Sequence, residues 1–193
     1  MAEYIFLLVG ASGGGKSTVS RILQQDYGLK AVQSYTTRPP RYEGEEGHTF
    51  ITVNDMIELA PHMVAYTVVG EYEYCATEKQ ISDNDLYVID PDGVEWMPMC
   101  YRGNKTPVVL YYDVPRKIRK ERMLKRGDSP KEVAFRLKHD RREFRKFARQ
   151  AHRQLLPYLS FVIDNSSDDI NLAVADTLSI IGSLTSENAE DMR

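Results

Sequence analysis

The chain has 193 residues, 42% hydrophobic and 27% charged, which gives one compact domain with enough apolar content to bury a core. Its formal charge is -3 at pH 7 and its isoelectric point about 5.8, so no global positive field favours nucleic acid, and any anion site has to be built locally. No run approaches the roughly eighteen uninterrupted apolar residues of a membrane span, so no membrane partner is expected.

The first apolar run, Tyr4 to Val9, is continuous rather than alternating and predicts a buried strand. It lacks a basic leader and runs into glycines rather than a cleavage site, so the expected location is cytoplasmic. "GASGGGKST" follows directly, and Gly10, Gly15, Lys16 and Ser17 satisfy the phosphate-loop pattern G-x-x-x-x-G-K-[ST]. Glycines there, Gly13 and Gly14 included, let successive backbone N–H groups turn inward around phosphate oxygens. The helix expected over Ser17 to Gln25 adds its N-terminal partial positive charge. Lys16 would reach the terminal phosphates and the Ser17 hydroxyl, next to Thr18, would meet Mg²⁺. A glycine-rich turn without a ligand leaves the Gly-Lys-Ser order unexplained.

The stretch "SYTTRPPRYEGEEGHTF", residues 34 to 50, sets Arg38 and Arg41 around two prolines. A solvated charged loop is the plain reading. Phosphoryl transfer to a second phosphate, however, needs the acceptor held by fixed cations, and proline-stiffened arginines lose less entropy on gripping it. Residues 35 to 80 are rich in Pro, Gly and Tyr, with "HTFITV" and "MVAYTVV" expected as short strands of a small mixed insertion. Beyond it, apolar runs at Leu86 to Ile89, Val108 to Tyr112 and Phe161 to Ile163 alternate with helical patterns. Pro115 to Arg126 is one such helix, stopped by Gly127. This alternation predicts a parallel sheet with helices on both faces and ligands at the carboxyl ends of its strands.

Arg122 and Arg126 stand four apart on one helix face, and Arg136 follows the turn "GDSP". Ser129 to Leu156 is basic and helical, with Arg141, Arg142, Arg145 and Arg149 as a solvated face. Asp168 to Leu184 closes the domain as an amphipathic helix. Cys75 and Cys100, and the four histidines His48, His62, His139 and His152, match no metal-ligand spacing, and free thiols are expected. No guanine-reading N-K-x-D segment occurs, "NKTP" at Asn104 lacking the aspartate.

With a P-loop at Gly10 to Ser17, "SYTTRPPR", "YEYCAT", "IDPDG" and an arginine-rich region beginning "RMLKRG", the chain resembles the guanylate kinase family over nearly its whole length. The resemblance implies an α/β P-loop kinase fold: a central parallel sheet flanked by helices, a small mixed acceptor-binding insertion and a helical lid. The implied single domain divides into a core of residues 1–34, 81–121 and 156–184, an insertion of 35–80, a lid of 122–155 and a frayed tail of 185–193. The implied reaction is Mg²⁺-dependent phosphotransfer from ATP to GMP or dGMP by a monomer or homodimer. Lys16, Arg38, Arg126 and Arg136 would be catalytic. Gly10, Gly13, Gly14, Gly15, Lys16, Ser17, Thr18, Arg122, Arg126 and Asn165 would bind ATP. Ser34, Arg38, Arg41, Phe50, Tyr74, Asp92 and Arg136 would bind the acceptor, and Ser17 and Asp90 would meet the metal.

Ala65 stands where the family supplies a guanine-reading glutamate, Phe50 where it has a second phosphate-binding tyrosine, and Ala76 where it has a small hydroxyl residue. Glu71 or Glu73 is a possible substitute for the glutamate. A base edge without its partner discriminates poorly, so another nucleoside monophosphate or a phosphorylated sugar is the alternative acceptor. A non-catalytic phosphopeptide-binding module is the third reading, which survival of the donor residues disfavours.

Overall fold

Tyr4–Val9 forms strand β1, and its side chains alternate between two apolar layers. Ile5, Leu7 and Val9 face one core and Phe6 and Leu8 the other, every one of them buried. A strand covered on both faces has no polar alternation, which is why its sequence is continuously apolar. The computed structural model describes residues 4–191, with side chains through residue 186.

Strands β1, β6 (Leu86–Val88), β7 (Thr106–Asp113) and β8 (Leu159–Asp164) make a parallel sheet in the order β6-β1-β7-β8. Helix α1 (Lys16–Tyr27) and the C-terminal α7 (Ile170–Asp191) cover one face through Val19, Leu23, Ala173 and Val174. Helices α4 (Pro91–Cys100) and α6 (Pro130–His152) cover the other through Val94, Met97, Phe144 and Phe147. This is the α/β architecture expected from the alternating pattern. Helix α7 is followed through Asp191; Met192 and Arg193, the last residues of the expected frayed tail, lie outside the described residues.

Between the core strands, β2 (Ser34–Thr36), β3 (His48–Phe50), β4 (Met63–Val69) and β5 (Tyr72–Thr77) form a second, mixed sheet in the order β3-β2-β5-β4. Two short helices lie in the same region, α2 (Val53–Leu59) and α3 (Glu78–Asp83). Each begins with a reciprocal capping box, Thr52 with Asp55 and Thr77 with Gln80. The expected strand "HTFITV" therefore ends at Phe50 and gives way to a helix. Helix α5 (Arg116–Lys125) leads through Gly127 to α6, which opens on a third capping box, Ser129 with Glu132. Cys75 is buried and Cys100 half-buried, both as free thiols. No helix among the described residues is long and apolar enough to cross a membrane.

Candidate active site

The carboxyl end of β1 opens into the glycine-rich turn, and the turn's shape is set by close neighbours. A side chain at Gly13, whose φ is +77°, would lie 2.7 Å from the Arg119 carbonyl oxygen; one at Gly15, φ +88°, would lie 2.3 Å from Asn165 Nδ2. Asn165 donates that amide to the Gly14 carbonyl at 2.8 Å, so it braces the loop from behind, and its Oδ1 has no partner among the described residues. Lys16 folds back and donates from Nζ to the Gly10 carbonyl. Burial lowers the pKa of this amine, opposed by the charges of Asp90, Asp140 and Glu143. Asp90 is the N-cap of α4 but makes no side-chain capping bond, leaving its carboxylate turned to the cleft. Burial raises the Asp90 pKa, while Lys16 opposes the rise.

Arg38 is only 7% exposed and nearly saturated. Its Nη1 and Nη2 donate to the two oxygens of Glu45 at 3.1 and 2.8 Å, Nη1 also to the Pro39 carbonyl at 2.8 Å, and Nε to the Tyr74 hydroxyl at 3.2 Å. Burial pushes the Glu45 carboxyl up, but hydrogen bonds from Arg38 and from the Arg41 backbone outweigh it and hold the group below its ordinary value. The Arg41 backbone N–H donates to Glu45 at 2.6 Å, whereas its side chain is 54% exposed and makes only a 3.4 Å contact there. Arg41 is thus the open fork of the pair and Arg38 the anchored one. Ser34 Oγ lies 2.9 Å from His48 Nδ1, and burial followed by the Arg38 charge lowers the His48 pKa.

Arg122, Arg126 and Arg136 rest on internal acceptors. Arg126 makes a two-pronged contact with Asp128 at 2.8 and 2.6 Å, Arg136 Nε approaches the same carboxylate at 3.8 Å, and Arg122 donates to the Ser167 carbonyl at 2.6 Å. The Arg126 hydrogen bonds hold Asp128 below the usual carboxylate range. Arg141, Arg142, Arg145 and Arg149 are exposed, as expected of a solvated face.

These groups meet in one cleft of about 510 Å³ between the two sheets and α6. Of the residues singled out from sequence, it is lined by Gly10, Gly13, Gly14, Gly15, Lys16, Ser17, Thr18, Ser34, Arg41, Tyr74, Asp90, Arg122, Arg126 and Arg136. Arg38 lines an adjoining cavity, shared with Arg41, Tyr74 and Arg136. Three others line neither of these two cavities. Phe50 lies beneath the Arg38 guanidinium, 5.4 Å from ring centroid to Cζ, and His48 on the same strand face meets the cleft instead. Asp92 is exposed and opens on a side cavity, and Asn165 sits behind the loop. The cleft also exposes Tyr66, His139, Asp140 and Glu143, none of which carries a sequence motif. Glu73 is engaged by the Tyr66 hydroxyl at 2.6 Å, and Glu71 lines the adjoining cavity.

Hard oxygen donors from Ser17 and Asp90 suit Mg²⁺, and the free Asp90 carboxylate is the group such an ion requires. The arrangement can hold one polyanion against the loop amides and Lys16 and another against Arg41 and Tyr74, with Arg136 between them.

No family model matches the chain. It is 32% identical over 149 residues to a guanylate kinase of Paraburkholderia xenovorans, covering 69% of this chain and 64% of that protein. It is 43% identical over 51 residues to a guanylate kinase of Nitrosomonas europaea, covering 26% of this chain and 25% of that one. The chain thus spans between a quarter and 64% of the length of these curated relatives. Among solved structures, the guanylate kinase of Anaplasma phagocytophilum has the same fold, with a TM-score of 0.54 at 20% identity over 98% of this chain and 87% of that one. By its sequence relatives the chain belongs to the guanylate kinase family, and its fold is that of a solved guanylate kinase.

Proposed function

We propose that this chain is a cytoplasmic, ATP-dependent nucleoside monophosphate kinase whose favoured acceptor is GMP or dGMP. The observation that carries this reading is that a P-loop with its lysine and an arginine-tyrosine clamp share one cleft. No side-chain nucleophile is required, because phosphoryl transfer is accelerated mainly by alignment and charge neutralisation. The loop amides and Lys16 hold the donor phosphates, Arg41 and Tyr74 hold the acceptor phosphate, and Arg38 keeps the clamp in shape through Glu45. Arg122, Arg126 and Arg136 leave their internal partners to neutralise the transferring group. Ser17 and Asp90 are the residues that would hold Mg²⁺, which supplies further charge neutralisation on the donor.

A different acceptor is the second reading, favoured by the residues at the positions where the resemblance implies recognition of the base. Ala65 and Ala76 are apolar and belong to the buried core rather than the cleft lining, and Glu73 is already bonded to Tyr66. Mg-ATP-dependent ADP formation against GMP, dGMP, AMP, CMP, UMP, dTMP, IMP and ribose phosphates, with Lys16→Ala as control, decides between them. Preference for GMP or dGMP supports the first reading, and turnover of another acceptor alone supports the second. Silence across the panel, or full activity in Lys16→Ala, refutes the donor assignment.

A further inference from the structure

The outer turn of the phosphate loop is held by two residues outside the P-loop pattern. Ser12 donates its backbone N–H to Asp140 Oδ2 and its hydroxyl to Asp140 Oδ1, both at 3.1 Å. Arg119 Nη1 donates to Asp140 Oδ2 at 2.7 Å and to the Ser12 carbonyl at 3.4 Å, while its Nε donates to the Val114 carbonyl at 3.1 Å. Asp140 is 4% exposed and the Arg119 side chain 12%, so this ion pair is shielded from water. Three elements meet at it: the loop, α5 and α6.

Place matters as much as strength. Asp140 follows Arg136 by one helical turn, so a fixed Asp140 fixes where Arg136 starts from. Asp140, Ser12 and Arg136 line both the main cleft and the adjoining cavity that holds Arg38. Arg119 lines neither and supports Asp140 from behind. On the same side, its backbone oxygen closes the space above Gly13.

We propose that Asp140 and Arg119 are positioning residues for the donor, clamping the loop to the lid helix so that the loop amides and Arg136 keep a set geometry toward the ATP phosphates. The assignment rests on the kinase reading above. A buried carboxylate that accepts two bonds from one loop residue, and is itself fixed by an arginine, restrains the loop as no single hydrogen bond does. Without it the loop must be ordered when ATP arrives, and that cost appears as weaker donor binding.

The test uses Asp140→Asn, which keeps the shape but loses the charge and one acceptor, Ser12→Ala, and the charge swap Asp140→Arg with Arg119→Asp. MgATP dissociation constants by calorimetry, KM for each substrate, thermal unfolding and amide exchange at residues 12–16 are compared with the wild type. Asp140→Asn is expected to weaken MgATP binding on the order of tenfold or more, with acceptor KM unchanged within about twofold and faster loop exchange. Ser12→Ala is expected to lose less, in the same direction. The swap is expected to recover thermal stability by rejoining α5 to α6, without recovering MgATP affinity, since Ser12 still lacks its acceptor. Unchanged or tighter MgATP binding in Asp140→Asn overturns the assignment, as does a swap that restores affinity together with stability. A wild type that binds no MgATP refutes the kinase reading and this assignment with it; normal wild-type binding that the variants leave intact refutes this assignment alone.

Discussion

Replacing Glu143 by glutamine should stabilise the protein, and only over a defined pH range. Glu143 lines the cleft on α6, its Oε2 is 3.1 Å from His139 Nδ1, and the charges of Asp90, Asp92 and Asp140 face it with Lys16 opposing them. Burial, then those carboxylates, push its pKa from the ordinary 4.5 up to about 8. A raised carboxyl pKa means that the folded state keeps a proton that the unfolded chain has lost. Below pH 4.5 both states are protonated and the group costs nothing. Between 4.5 and 8 stability falls with rising pH, at most by about 1.36 kcal/mol per pH unit, and above 8 the loss is complete. At pH 7 the limit is about 3 kcal/mol. With the side chain still 13% exposed and the His139 contact weakened in the variant, about half of that is the expected gain. Urea unfolding of both proteins from pH 4.5 to 9 reads it out: the curves should meet at the acid end and separate by roughly 1–2 kcal/mol near pH 7. Parallel curves would show that Glu143 ionises normally and that the carboxylates of the cleft do not feel one another.

The two clamp arginines should part company on substitution. Arg41→Ala, at a half-exposed side chain, should raise acceptor KM while changing stability by less than about 0.5 kcal/mol. Arg38→Ala leaves Glu45, 5% exposed, with only the 3.4 Å contact to Arg41 as counter-charge and should cost about 3 kcal/mol in urea unfolding besides its effect on the acceptor; equal stability losses in the two variants would contradict the anchored and open roles. Asp128→Asn removes the resting place of Arg126 and Arg136, so phosphate no longer competes for them and KM for ATP should fall severalfold. A rise in that KM would make Asp128 a support for the arginines rather than a parking place.

Strand β1, the P-loop and the order of the core elements were legible because each depends on local pattern: a continuous apolar run, glycines before Gly-Lys-Ser, and apolar spacing in the helices. The short helices α2 and α3 were missed although Thr52-x-x-Asp55 and Thr77-x-x-Gln80 carry the capping signal, since tyrosines and β-branched residues nearby favour strands. In α6 the run of basic residues masks a second periodicity. Leu137, Asp140, Phe144, Phe147 and Ala151 are spaced for one buried face, and Asp140 lies on it. Read that way, an acid within an apolar stripe calls for a buried partner, but nothing local points to Ser12 and Arg119. His48 and Phe50 share a strand face, and only tertiary packing decides which of them reaches the cleft.

The pairing of cleft arginines with carboxylates of the same chain bears on how substrates arrive. Glu45, Asp128 and Asp140 hold the charges of Arg38, Arg126 and Arg119, of which only Arg126 lines the main cleft, whereas Arg41 is exposed and Arg122 rests on a backbone carbonyl. The positive charge left open is confined to a few groups, Arg41 foremost, and beyond a Debye length, about 8 Å at physiological ionic strength, it is largely screened. On the kinase reading, charge recognition then acts chiefly at short range, as a phosphate meets Arg41 and competes with Asp128 for Arg126, while Arg38 and Arg119 stay with Glu45 and Asp140.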